Sequence, residues 1–244
     1  MVAGIVEKVA KVREEIAEAA AKSGRAASEV KLMGVTKYHS LEAMEEAVPL
    51  VDLIGENRVQ EAAAKRAAWP LGLASCPWHM IGRLQKNKIR RAMETFDLIE
   101  SVDSAGIAAA INRIAGEKGV AAYPIFIEVN VSGEEAKGGL APEAAPAALG
   151  AVLESCPRVE VRGLMTVARD TDDEGELRRS FSALRELREK LRRSSGLPLP
   201  ELSMGMSGDF RVAIEEGSTI VRIGSAIFGK RNYNNKNTID KGAE

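Results

Sequence analysis

Apolar residues recur along this chain in two rhythms. Ile5, Val9, Val12 and Ile16 follow one another at helical spacing with Lys, Arg and Glu between them, the stripe of an amphipathic helix. Beyond them, short runs rich in β-branched and long apolar residues alternate with helix-like stretches. The runs predict strands at 31–37, 52–56, 78–82, 97–102, 123–131, 159–167, 201–207 and 220–229. Residues 40–48 read as a helix that opens at Ser40, a capping residue, and ends at Pro49. Residues 104–118 open at Ser104 and close on Gly119, a natural residue just past a helix end. The clearest helix covers 172–193, where Leu177, Phe181, Leu184, Leu187 and Leu191 form one stripe. Thr171 and Glu174 stand at capping-box spacing in front of it, and its charged face, with Arg178, Arg185, Glu186 and Lys190, reads as solvated.

Eight strands alternating with about seven helices predict an α/β fold: a single (β/α)8 TIM-type barrel with an extra N-terminal helix. A doubly wound open sheet is the alternative, but no GxGxxG follows the first strand. With no internal linker or repeat, the expectation is one barrel domain over 1–232 and a polar, disordered tail over 233–244.

Composition narrows the function classes. At 45% hydrophobic and 28% charged, the 244 residues carry enough apolar material for a full core. A net charge of −1 gives no electrostatic ground for nucleic acid or a membrane surface as partner. No apolar stretch is long enough to span a bilayer, and Glu7, Glu14, Glu15 and Glu18 do not suit a signal peptide. Cys76 and Cys156 stand in no metal or redox motif; as reduced thiols they suit the cytoplasm.

A barrel of this type carries its site at the C-terminal ends of the strands. Lys37 ends the first predicted strand behind the apolar run LMGVT, where it is either a solvated charge or a desolvated amine able to attack an aldehyde. Ser207 and Gly208 precede a short helix beginning near Phe210, and Gly224 and Ser225 follow in the last strand. Together they suggest a phosphate cup, against the alternative of plain turns and kinks. Arg222 lies on the same side of its strand as Gly224; it is either a donor to a ligand or one half of an internal pair with Glu56 or Glu128. Asn57 is a ligand or a helix N-cap for 58–68. His79 lies near no set of metal ligands, so it reads as a hydrogen-bonding residue and no metal is expected.

The motifs GVTKYHS around Lys37, IGENRVQE (54–61), WHMIGRLQKNK (78–88), RGLMTV (162–167), LSMGMSGDF (202–210) and GSTIVRIGSAIFG (217–229) resemble the pyridoxal 5′-phosphate (PLP) homeostasis protein family, which is similar to the N-terminal barrel of alanine racemase. The likeness runs from first strand to last. It implies PLP as cofactor, Lys37 as the Schiff-base lysine, Ser207, Gly224 and Ser225 on the phosphate, and Arg222 facing the pyridine nitrogen. Asn57, His79 and Met165 match positions near the cofactor. The resemblance also implies a cytoplasmic monomer that buffers or delivers PLP, with PLP-dependent apoenzymes as recipients.

Two other readings stay open: a PLP-dependent, racemase-like enzyme and a phosphosugar isomerase using only the phosphate site. Against the racemase, a guanidinium cannot accept a proton and so leaves the ring nitrogen neutral. The chain is also expected to end just after the eighth strand, without the further domain that supplies alanine racemase with a second base.

Overall fold

The computed structural model describes residues 4–72, 76–134 and 137–229; the expected tail over 233–244 lies outside them. Eight parallel strands close into a barrel in sequential order. They are β1 (Lys31–Val35), β2 (Leu53–Glu56), β3 (Trp78–Met80), β4 (Leu98–Val102), β5 (Tyr123–Glu128), β6 (Val159–Met165), β7 (Glu201–Met206) and β8 (Ile220–Ile223). Helices cover the outside: α1 (Ile5–Lys22), α2 (Leu41–Ala47), α3 (Val59–Ala67), α4 (Ile89–Thr95), α5 (Ala105–Glu117), α6 (Ala145–Ser155), α7 (Glu174–Ser195), α8 (Phe210–Glu215) and α9 (Ser225–Phe228). The barrel and its extra N-terminal helix are those read from the sequence. α1 buries Val9, Val12 and Ile16 and lies along α2, α8 and α9. No helix among the described residues is long and apolar enough to cross a membrane.

Several boundaries differ from expectation for local reasons. The eighth strand stops at Ile223: Gly224 leaves the extended conformation, and Ser225–Phe228 coil into α9, which buries Ile227 among the helices. An apolar run of this length cannot be told from a short buried helix by periodicity alone. The fifth strand likewise stops at Glu128, and Val129 then bridges to Leu140. α7 is capped by Asp173, whose Oδ1 accepts from the Glu176 N–H at 3.1 Å, not by the expected pair Thr171 and Glu174. Thr171 instead accepts from the Asp173 N–H. The caps at Ser40 and Ser104 form as expected.

Strand alternation fills the barrel from within. Met33, Leu53, Leu98, Phe126, Met165 and Ile220 form an apolar plug, with Ile81 and Val167 packed on it. Nearer the C-terminal ends the lining becomes polar, with His79, Glu100, Glu128, Ser203 and Arg222 all buried.

Candidate functional site at the barrel mouth

The polar lining is a connected chain of hydrogen bonds. Arg222 donates from Nη1 to the Ser203 hydroxyl at 2.7 Å and from Nη2 to the Thr166 carbonyl at 2.6 Å. Ser203 donates in turn to Glu100 Oε2 at 2.5 Å, and Glu100 Oε1 lies 2.7 Å from His79 Nδ1. Because the Glu100 carboxylate is the acceptor, Nδ1 is the ring nitrogen assigned the hydrogen. β4 and β7 are not neighbours in the sheet, so the bond between Ser203 and Glu100 crosses the interior. Arg222 is therefore not paired with Glu56, one of the partners expected from the sequence; Glu56 faces the opposite way and pairs with Lys65. Nor does Arg222 hydrogen-bond Glu128, although the two attract across the mouth. Burial works against the arginine's charge, while Glu100, Asp209 and Glu128 support it.

Glu128 follows Phe126 on the inner face of β5. Burial pushes its carboxyl up to about 7, helped by the nearby Asp103 and Glu100 and opposed by Arg222 and Arg83. Among the residues expected from the sequence, Glu128 enters only as a possible partner for Arg222, and Glu100 does not enter. The available signal was an acidic residue at an inward position of an otherwise apolar strand, as in LIESV and YPIFIE.

On the opposite side of the barrel, β1 stops at Val35 rather than at Lys37 as expected, and Lys37 lies half-buried in the turn that follows. β1 runs beside β8, with Met33 level with Arg222, and the position a Cβ on Gly224 would take lies 3.5 Å from the Val35 Cβ. His39 stacks on Phe228 of α9 with ring centroids 4.7 Å apart. The segment carrying Lys37 is thus braced against the end of β8. There, the Ser207 hydroxyl accepts from the Ala226 N–H at 3.3 Å, tying the loop after β7 to the first turn of α9. Ser207, Gly224 and Ser225 come together at the rim, and Arg222 lies two residues before Gly224.

Asn57 does not cap α3. The N-cap position is Arg58, with no side-chain cap, and the Asn57 amide oxygen is buried without a partner. Gly82 lets the chain after β3 approach, since a Cβ there would come within 2.4 Å of the Asn57 carbonyl oxygen. His79 lies edge-on to Phe126, and Met165 belongs to the apolar plug at 1% exposure.

Known proteins share the sequence and the fold of this chain. The family described as "Alanine racemase, N-terminal domain" matches residues 9–232. A pyridoxal phosphate homeostasis protein of Aquifex aeolicus is 42% identical over 228 residues, covering 93% of this chain and 98% of that one. PipY of Synechococcus elongatus, solved with PLP bound, is 38% identical and superposes with a TM-score of 0.76 over 88% of this chain and 100% of its own. An alanine racemase of Clostridium difficile shares the fold alone, with a TM-score of 0.70 at 17% identity over 83% of this chain and 53% of its own.

Proposed function

This chain belongs to the pyridoxal phosphate homeostasis proteins, and on that premise we propose that it holds PLP through a Schiff base on Lys37 and buffers or delivers it inside the cell. The supporting observation is that the residues flanking Lys37 pack against the end of β8, Val35 beside Gly224 and His39 on Phe228, at the rim that Ser207 joins through Ala226, above a buried Arg222. The unpaired, buried amide oxygen of Asn57 fits the same reading, because a polar ligand edge would complete it. Ser207 and the backbone at Gly224 and Ser225 hold the phosphate. Arg222 faces the ring nitrogen, and Asn57, His79 and Met165 line the space around it. Bound there, PLP supplies an aldehyde carbon that joins an amine nitrogen as the aldehyde oxygen leaves as water.

The carrier reading rests on Arg222, a donor that cannot take up a proton and so keeps the ring nitrogen neutral. Its recipients are PLP-dependent apoenzymes, and the protein works as a cytoplasmic monomer. The two thiols suit that compartment, Cys156 being buried and Cys76 pushed up to about 11 by burial. Glu128 favours a second reading, a racemase-like enzyme, because a carboxyl titrating near neutrality at the mouth is suited to carry a proton. Turnover of amino acids near one per second, within the ordinary enzyme range of about 1–1,000 per second, would establish that reading. Slow α-proton exchange without inversion supports the carrier.

Reduction of the PLP-loaded protein with borohydride, followed by peptide mapping, is expected to place the pyridoxyl mass on Lys37 and to bleach the visible absorbance. Label found only on Lys86 or Lys137 would overturn the assignment.

A further inference from the structure

We propose that Glu61 and Lys65 of α3, together with Glu56 of β2, form a clamp that positions Lys37 by gripping the backbone on both sides of it. The inference rests on Lys37 being the PLP lysine. Thr36 and Glu56 meet Lys65 of α3 on the outside of the barrel, and Lys37 follows Thr36 in the turn after β1. Lys65 donates to the Thr36 carbonyl at 2.8 Å, to Glu56 Oε1 at 2.7 Å and to Glu61 Oε1 at 2.7 Å. The same Glu61 oxygen accepts from the Tyr38 N–H at 2.7 Å, and the Thr36 hydroxyl donates to Glu56 Oε1 at 2.7 Å. The carbonyl before Lys37 and the N–H after it are therefore both held by one ion pair, four residues apart on a single helix.

The backbone held in this way is not one that the chain would adopt unaided. Tyr38 has a φ of 66°, a left-handed conformation that a residue with a Cβ keeps only where its surroundings enforce it. Its ring lies under the Arg58 guanidinium at 5.1 Å, a further restraint from the start of α3. A plain packing role for the network would require only the pair between Lys65 and Glu56. It would not require Glu61 to reach the Tyr38 N–H, and buried ion pairs contribute little net stability. Glu56 is fully buried, and burial holds its carboxyl above the usual range. Its Oε2 has no partner, so the network is incomplete as a stabilising device. The three N–H donors of Lys65 are all engaged, which occupies this second lysine beside the mouth as a holder of the backbone.

A clamp of this kind acts on the lysine and not on the phosphate rim, and that separation is measurable. PLP and pyridoxine 5′-phosphate share ring and phosphate, but the second carries an alcohol where the first has its aldehyde. Glu61→Ala and Lys65→Met are each expected to lower affinity for PLP about tenfold while changing that for pyridoxine 5′-phosphate less than about twofold. Glu61→Gln keeps an acceptor for the Tyr38 N–H and is expected to recover most of the loss. Circular dichroism establishes that each variant is folded, and two separate positions keep the test alive should one fail. An equal fall for both ligands, or no fall for PLP, would overturn the clamp. Lys37→Ala runs alongside: if it leaves PLP affinity intact, the assignment of Lys37 itself is wrong. If it removes the preference for the aldehyde while the α3 variants do not, the clamp alone is wrong.

Discussion

Two sets of side chains fill the same barrel within a pleat of one another, and they follow opposite physical rules. The apolar plug, with Phe126 and Met33 almost wholly excluded from water, stabilises the fold through area removed from solvent. The polar set above it, His79, Glu100, Ser203, Arg222 and Glu128, is as well buried but carries charges whose desolvation opposes folding. The same strands and the same alternation serve both. A buried arginine joined to a cross-barrel carboxylate through a serine is a poor source of stability, so the contrast marks the mouth as the part of the core whose composition packing does not explain.

Truncating the plug should separate the two sets most clearly. Phe126→Ala is expected to lower the free energy of unfolding by about 3–5 kcal/mol, read by urea denaturation. The ligand affinity of the folded fraction should hardly move; a parallel loss of PLP binding would show that plug and mouth are not independent.

A pH effect of up to roughly 3 kcal/mol follows from Glu128, whose folded carboxyl titrates at about 7 against an ordinary 4.5. As pH rises between those values, the unfolded chain releases a proton that the folded chain retains, so stability falls across the window and levels off above about 7. Glu56 and Asp209, also raised by burial, tilt the curve the same way. The measurement is therefore the difference between the protein and its Glu128→Gln variant in urea at pH 5 and pH 8. Identical slopes would remove Glu128 from the account.

Ser207→Ala tests the rim rather than the interior. It should weaken PLP by about 1.5–3 kcal/mol, the worth of a hydrogen bond to a charged group, and weaken pyridoxal far less. Equal weakening of both would take Ser207 off the phosphate. The smallest effect is expected of Met165→Leu, a volume-conserving change that should cost less than about 1.5 kcal/mol of stability and, because Leu keeps an apolar side chain beside the ring, lower PLP affinity only slightly. A loss of affinity as large as that expected of Ser207→Ala would mean that Met165 contributes more than apolar packing.

Local rules made much of this protein legible in its sequence. Alternation and helical spacing predicted a closed barrel, Ser40 and Ser104 marked helix starts, and the first strand was placed correctly but for its end, which falls at Val35 with Lys37 in the turn beyond. Each of these signals spans only a few residues, because backbone geometry repeats over two positions in a strand and about 3.6 in a helix. Tertiary structure alone decided the partnerships. Ser203 meets Glu100 from 103 positions away, Arg222 settles on Thr166 and Ser203 instead of Glu56, and α3 brings Glu61 and Lys65 to the backbone around Lys37. Whether GSAIF continues a strand or coils into α9 was likewise decided by the helix layer that buries Ile227. Such choices follow barrel closure and strand stagger, which set which inward positions face each other across the interior, and no local period encodes that.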